Sequence, residues 1–427
     1  MKSDNCINCP VTREIVDFKD VFTNQWFESE KLFPKLDKKT SFFQKRAKEK
    51  STNVFVDSFV KSLKYFPEEI EERLNWKKNI KVLMDNFLQQ SDLISTNDKK
   101  LLFDTGMLKN TQDFLEEAKK FNDKISISDI GQAIRNVWIM NIVQLLLGKK
   151  VEMTPSVFAY SMLYPYTDNY LDDPSITKEE KIIISDRFEI KLKGIHIEPR
   201  NSYEESLFKL VDMIEGQYAP INYPKVFQSL LAIHKAQKKS LLQQGRISCP
   251  YEVDILGLSI EKGGSSVLAD AYLVNGELAA DTANFFFGYG VLLQICDDLQ
   301  DGIEDLANKH MTIISQLAGK WNLDSITNGL INFDFKLLEN ANCFTCDNLN
   351  DIKELIRKNS LMLIFFAIAK NKKLYSKKYF KTIKMYFPYR TSYMINFYNR
   401  LKKKYSNIES SYGGVSVEEI IMFALST

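Results

Sequence analysis

Glycine and proline are both scarce in this chain, 17 and 11 of 427 residues, so few positions break or redirect the backbone. Combined with long amphipathic patterns, that shortage predicts a mostly helical protein. Neither sign of charge is in surplus: 57 Lys and Arg stand against 55 Asp and Glu. Bulk electrostatics therefore gives no reason to expect a nucleic-acid partner. No apolar run reaches the length of a membrane span, since even the stretch from Ile134 to Leu147 is interrupted by Asn136, Asn141 and Gln144. No transmembrane segment is expected. The first residues, Met1 to Cys6, lack the apolar core of a signal peptide, and a cytoplasmic protein with reduced thiols is the expectation. Histidine is rarer still, and His196 and His234 have no metal-ligand partner at helical spacing, which assigns them surface or core roles.

What is present is acid placed where helices end. The run Asn284-Phe285-Phe286-Phe287-Gly288-Tyr289-Gly290-Val291-Leu292-Leu293 leads into Gln294-Ile295-Cys296-Asp297-Asp298-Leu299-Gln300-Asp301. Read as one helix, Phe287, Gly290, Gln294, Asp297, Asp298 and Asp301 share a face. Carboxylates beside an apolar wall repel one another and are costly to desolvate. A cation would relieve both costs, and oxygen-only ligands suit Mg²⁺ or Mn²⁺, which usually also hold substrate phosphates. Taken alone, the cluster fits a solvated last helical turn better, since charge runs are usually solvated.

A second such place lies upstream. Pro155 opens a helix through Tyr160 and Tyr164 to Asp168-Asn169-Tyr170-Leu171-Asp172-Asp173, and Pro174 ends it. Asp168 and Asp172 are four residues apart and share the face of the two tyrosines, with Asp173 in the final turn. The helix dipole disfavours anions at this end, so the acids sit poorly there unless a cation binds. Between the two lies the stretch from Asp254 to Val274, whose Gly263-Gly264 is costly in mid-helix. Two readings are open for it. A kink would free backbone groups beside Lys262 to bind phosphate; alternatively the small residues serve close helix packing. Lys309 is within loop reach of the later acids, and Arg390 stands where a C-terminal helix could bring it over a site.

No internal repeat or low-complexity linker appears. The expected division is an extension over 1–75, without clean periodicity up to about Lys50, and one all-α domain over 76–427. Cys6-Ile7-Asn8-Cys9 and Cys343-Phe344-Thr345-Cys346 are both CxxC pairs. Their separation matches no zinc-ribbon pattern, so unrelated surface thiols are expected and a shared zinc stays open.

With these residues named, the segment from Asp254 to Thr312 resembles the class I isoprenoid synthase superfamily, that is, the trans-isoprenyl diphosphate synthases and class I terpene synthases. Lys262-Gly263 stands where those synthases carry a Lys-Thr pair, Gln294 to Asp301 looks like their second aspartate-rich motif, and Lys309-His310-Met311-Thr312 is similar to their Lys-x-Thr. Asp168 to Asp173 then takes the place of the first motif. The resemblance implies an all-α bundle around a central, deep apolar cavity. It implies metal binding by Asp168, Asp172, Asp173, Asp297, Asp298 and Asp301, which would hold a three-Mg²⁺ cluster, Mn²⁺ being a substitute, on the diphosphate of a prenyl substrate. Lys262, Lys309 and Arg390 would share the diphosphate charge, and Gln294, Phe287, Tyr164 and Tyr160 would line the cavity. Dimers are common in the superfamily, so a homodimer stays open.

Departures refine the expectation. The first motif reads Asp-x-x-x-Asp-Asp, and Pro174-Ser175-Ile176-Thr177-Lys178 stands where elongating synthases have paired arginines. The basic groups that bind a second diphosphate are represented at best by Gly148-Lys149-Lys150. One diphosphate substrate, ionised and then cyclised or rearranged by a terpene synthase, is the expected chemistry. The alternatives are a prenyltransferase joining an allylic diphosphate to isopentenyl diphosphate, and an inactive helical partner subunit.

Overall fold

A computed structural model of the chain describes residues 10–90, 96–173, 175–244, 252–406, 411–412 and 415–425. Among them the structure is all-α. The first helices are α1 (Pro10–Glu28), α2 (Phe42–Lys64), α3 (Ile70–Gln90), α4 (Thr96–Asp104), α5 (Met107–Phe121) and α6 (Ile127–Leu146). Then come α7 (Pro155–Asp172), α8 (Lys178–Leu192), α9 (Ser202–Gln217), α10 (Pro224–Ser240), α11 (Ile255–Asn275) and α12 (Ala280–Asn308). The last are α13 (Asp324–Glu339), α14 (Leu349–Lys370), α15 (Lys377–Ile383), α16 (Thr391–Ser406) and α17 (Val417–Leu425). The strands described, β1 (Ser411–Tyr412) and β2 (Val415–Ser416), form one minimal antiparallel pair.

The chain folds as two compact units that are interleaved in sequence. The first comprises Met1–Pro34 and Asp129–Ile364, the second Lys35–Ser128 and Phe365–Thr427. This division does not follow a boundary at residue 75. Helix α1 is part of the first unit's core: Val11, Ile15, Phe22 and Trp26 are buried. Phe22 stacks on Phe287 at 5.8 Å and meets Phe333 edge-on at 6.2 Å.

Helices α11 and α12 form the axis of the first unit. Helix α11 begins at Asp254, whose side chain accepts the Gly257 N–H at 2.8 Å, and it runs unbroken through Gly263-Gly264. Of the two readings open for the double glycine, the contacts carry the second, close helix packing. A Cβ on Gly263 would stand 2.5 Å from the Gly290 carbonyl oxygen, and one on Gly264 would strike the Phe287 ring. The glycines let two helix backbones touch, so the conformational cost of glycine is offset by contact.

On the flank of this unit, Glu204 of α9 is buried to 1% exposure. Arg187 of α8 donates to it from Nε at 2.8 Å and Nη2 at 3.0 Å, and Arg200 donates from Nε at 2.9 Å and from its backbone N–H at 2.7 Å. Burial pushes this carboxyl up, but the hydrogen bonds from Arg187 and Arg200 outweigh burial and hold it down at about 2, against an ordinary 4.5. A carboxyl depressed on folding contributes stability that is present above pH 4.5 and lost as pH falls toward 2. Stability measured across that window should fall less steeply in Glu204→Gln than in the unaltered chain, and the variant should be the less stable of the two at pH 7. Parallel curves would show that Glu204 is not ionised in the fold.

The second unit has its own core, with Leu63, Phe66, Trp76, Ile80, Ile420 and Ala424 packed together from α2, α3, α17 and the residues after α2. The Phe66 and Trp76 rings meet edge-on at 4.9 Å. Helix α2 is capped at its start by Ser41, which forms a capping box with Gln44.

Candidate functional site

Within the first unit, the C-terminal half of α7, the end of α10, the middle of α11 and the later turns of α12 close around one polar pocket of about 230 Å³. Asp168 enters from α7, Lys262 from α11, and Gln294, Asp297, Asp298, Asp301 and Asp305 from α12. The acids of α12 share one face because their spacing follows the helical repeat. The two acidic stretches, more than a hundred residues apart in sequence, thus meet at one opening with a lysine between them. Gln237 and Ser240 of α10 complete one wall, and His310 and Thr312 of the following loop complete another. That loop is held by a reciprocal pair: the Met311 N–H donates to Gln243 O at 2.8 Å, and Gln243 Nε2 donates to Met311 O at 2.9 Å.

The carboxylates differ in environment. Asp298 is buried, its Oδ2 accepting from Ser259 Oγ at 2.9 Å and its Oδ1 from Gln294 Nε2 at 2.9 Å. Burial pushes its pKa up to about 6 despite the Gln294 hydrogen bond, with the neighbouring Asp297 charge adding to the rise. Asp305 is pushed up to about 7, by burial first and then by the charges of Asp298, Asp301 and Asp297. Asp297 is exposed. Asp168 Oδ1 accepts from Gln237 Nε2 at 3.1 Å. These are carboxylates crowded by their own repulsion, the condition that a bound cation relieves. Among the described residues, no three His, Cys, Asp or Glu side chains are already drawn together as a cage for a metal ion. The carboxylates in this wall offer oxygen ligands, the type Mg²⁺ takes; Mg²⁺ is usually held by one or two carboxylates together with waters and substrate phosphates.

Several residues singled out from sequence are placed differently. The side chain of Asp172 lies outside the described residues. Asp173 caps α7, and its Oδ1 accepts from Ser175 N at 2.8 Å and Ser175 Oγ at 2.6 Å. Its carboxylate closes a local turn and does not line the pocket. Lys309 is exposed at the left-handed end of α12 (φ 55°) and does not line it either; His310 and Thr312 do. Phe287 is fully buried against Phe18 at 5.5 Å and Phe22 at 5.8 Å, in the core and not in a cavity wall. Arg390 belongs to the second unit, where Glu49 of α2 engages it at 2.6 Å. Cys6 and Cys9 lie outside the described residues, while Cys343 and Cys346 are half-buried free thiols.

Tyr160 and Tyr164 do border an apolar pocket, with Phe188, Leu230, Ile233 and Gln237, but it measures only about 30 Å³. That is room for about one water molecule. The Tyr164 hydroxyl bonds the Ser266 hydroxyl at 3.1 Å, and Tyr160 donates to Ser266 O at 3.4 Å. These contacts keep the rings in the packing, so the deep apolar cavity implied by the resemblance is not open here. Gln237 lines both this space and the polar pocket, which makes the two adjacent.

Asp305, Gln237, His310 and Thr312 were missing from the sequence-derived site. Asp305 was findable, being one turn beyond Asp301 on the same face. Gln237 was not, because nothing in the pattern of α10 says which remote helix it faces.

No protein-family model matches the chain, and no curated protein or solved structure matches it.

Proposed function

We propose that the chain is a class I isoprenoid synthase in architecture and a Mg²⁺-dependent terpene synthase in activity, which ionises a linear prenyl diphosphate and cyclises or rearranges the resulting cation. The observation that carries this reading is the single polar pocket lined by Asp168, by Asp297, Asp298 and Asp301, and by Lys262. Asp168, Asp297, Asp298 and Asp301 would hold the metal, with Asp305 at the margin. Mg²⁺, when bound, supplies the positive charge that stabilises a departing diphosphate.

The chain's own groups do the rest. Lys262 presents an ammonium to the leaving group. Gln294 and Ser259 fix both oxygens of Asp298, and Gln237 fixes Asp168, so the carboxylates do not reorganise as charge moves. The prenyl chain would enter beside Gln237 toward Tyr160 and Tyr164. Their faces suit a carbocation, and their rings must shift to admit it, because the space there is too small for a prenyl chain.

Incubation with geranyl, farnesyl or geranylgeranyl diphosphate and Mg²⁺ tests the reading. Release of inorganic diphosphate with a hydrocarbon or alcohol from one substrate alone is expected. Product formed only when isopentenyl diphosphate is added would replace it with a prenyltransferase. No turnover of any of these substrates would leave an inactive helical subunit.

A further inference from the structure

The second unit holds a cleft of about 470 Å³ between α2 and α16 that has no part in the site above. Its size is that of a small-molecule site. Four cationic side chains line it, Arg46 and Lys50 from α2, Arg390, and Arg400 from α16, against two acids, Glu49 and Asp57.

Both acids are already committed. Glu49 is 4% exposed and receives Arg390 Nε at 2.9 Å, Arg390 Nη2 at 2.6 Å and the Arg390 backbone N–H at 2.9 Å. Asp57 is paired with Lys404. Among the described residues, Arg46 and Lys50 have no ion-pair partner, and they stand four residues apart on one face of α2. Like charges at that spacing destabilise a helix. The cleft therefore concentrates positive charge that the chain does not itself neutralise.

Its cationic groups are also pre-set. Arg400 lies over the Tyr393 ring at 5.0 Å and donates from Nη2 to Asn53 Oδ1 at 2.7 Å. The Tyr393 hydroxyl donates to the same Oδ1 at 3.0 Å, and the Tyr393 ring stacks on Tyr389 at 5.1 Å. The guanidinium is thus fixed on one edge, which lowers the cost of ordering it around a ligand. Asn53 keeps its amide N–H groups for a further acceptor. Because Arg400 covers the ring of Tyr393, which is itself buried, the cleft offers charge and hydrogen bonds, not a stacking platform.

We infer that the cleft between α2 and α16 binds a phosphate-bearing ligand, through Arg46, Lys50, Arg400 and Asn53, independently of the acidic pocket. Guanidinium forks and an ammonium at one opening match the several acceptor oxygens of a phosphate or diphosphate group. That group could be free in solution or the headgroup of an anionic lipid, and the chemistry of recognition is the same.

Inorganic diphosphate titrated calorimetrically into the full chain in excess EDTA tests this, since chelation silences any metal-dependent binding at the acidic pocket. In parallel, the chain is sedimented with vesicles of phosphatidylcholine alone and of phosphatidylcholine with phosphatidylserine. Saturable binding of free diphosphate or of the anionic vesicles is expected. Arg46→Glu with Lys50→Glu should weaken it by at least about tenfold, the scale of losing two charge-assisted hydrogen bonds. Both positions are exposed, so helical circular dichroism should be unchanged. Lys372→Glu with Lys373→Glu, exposed in the same unit but outside the cleft, should leave affinity within about twofold, since surface charges that touch no ligand act only through screened fields. Binding of diphosphate assigns a soluble ligand, and binding of anionic vesicles alone assigns a headgroup. Absence of both, or equal loss in the two double variants, would overturn the inference.

Discussion

Asp298→Asn is expected to lower Mg²⁺-dependent diphosphate release by at least about a hundredfold, the scale of removing one electrostatic contact to a transition state, while the fold stands. Asp298 is the most enclosed of the pocket acids, and it is held at both oxygens by Ser259 and Gln294. Asparagine keeps that geometry. Its amide oxygen still accepts from Gln294, and its amide nitrogen can donate to the Ser259 hydroxyl. What it removes is the negative charge, which desolvation opposes at this buried position. The thermal midpoint should therefore be equal to that of the unaltered chain or higher. Diphosphate release within about threefold of normal would take Asp298 out of the proposed metal site, since a true ligand carries far more than that. A collapse of the fold in Asp298→Asn would mean that the charge is structural.

Gly290→Ala should be the most damaging single-methyl addition in the first unit, with a loss upward of about 3 kcal/mol, at the far end of the range for overpacking. The added Cβ would overlap the carbonyl oxygen of Gly263, a backbone atom in the neighbouring helix that cannot swing aside. Relief requires α11 and α12 to separate, and their separation sets the distance between Lys262 and the acids of α12. Gly131→Ala is the matched control. It lies in α6 with nothing within 4 Å of the new methyl, so it should stabilise by about 0.5–1 kcal/mol through helix propensity. Equilibrium denaturation of the two variants measures both. An unaffected Gly290→Ala would mean that α11 and α12 do not cross as closely as their glycines imply.

The same pair of helices shows why the sequence was only partly legible. The runs from Asp254 to Val274 and from Asn284 to Asp301 are apolar, helical in period and bounded by polar residues, so the helices themselves were readable. The Gly263-Gly264 pair was ambiguous because propensity is a local quantity, and the compensating contact with Gly290 lies on another helix. Helix α1 was missed although Val11, Ile15, Phe22 and Trp26 repeat at helical spacing. The charged residues between them hid a period that its burial makes plain. The interleaving of the two units was out of reach, because an amphipathic stripe on α2 does not name the partner that covers it.

For the site, sequence alone determined the helical content, the shared face of Asp297, Asp298 and Asp301, and the oxygen-only character of the candidate ligands. These follow from backbone geometry and side-chain chemistry, which are local. The tertiary structure decided the rest. It brought Asp168 to the same pocket as the α12 acids, added Asp305 and Gln237, turned Asp173 into a cap held by Ser175, and left Lys309 at an exposed helix end. It also placed Phe287 in the core and Arg390 on Glu49. Each of those outcomes depends on which remote helix packs where, and that is fixed by the burial of whole faces, not by the spacing of residues within one segment.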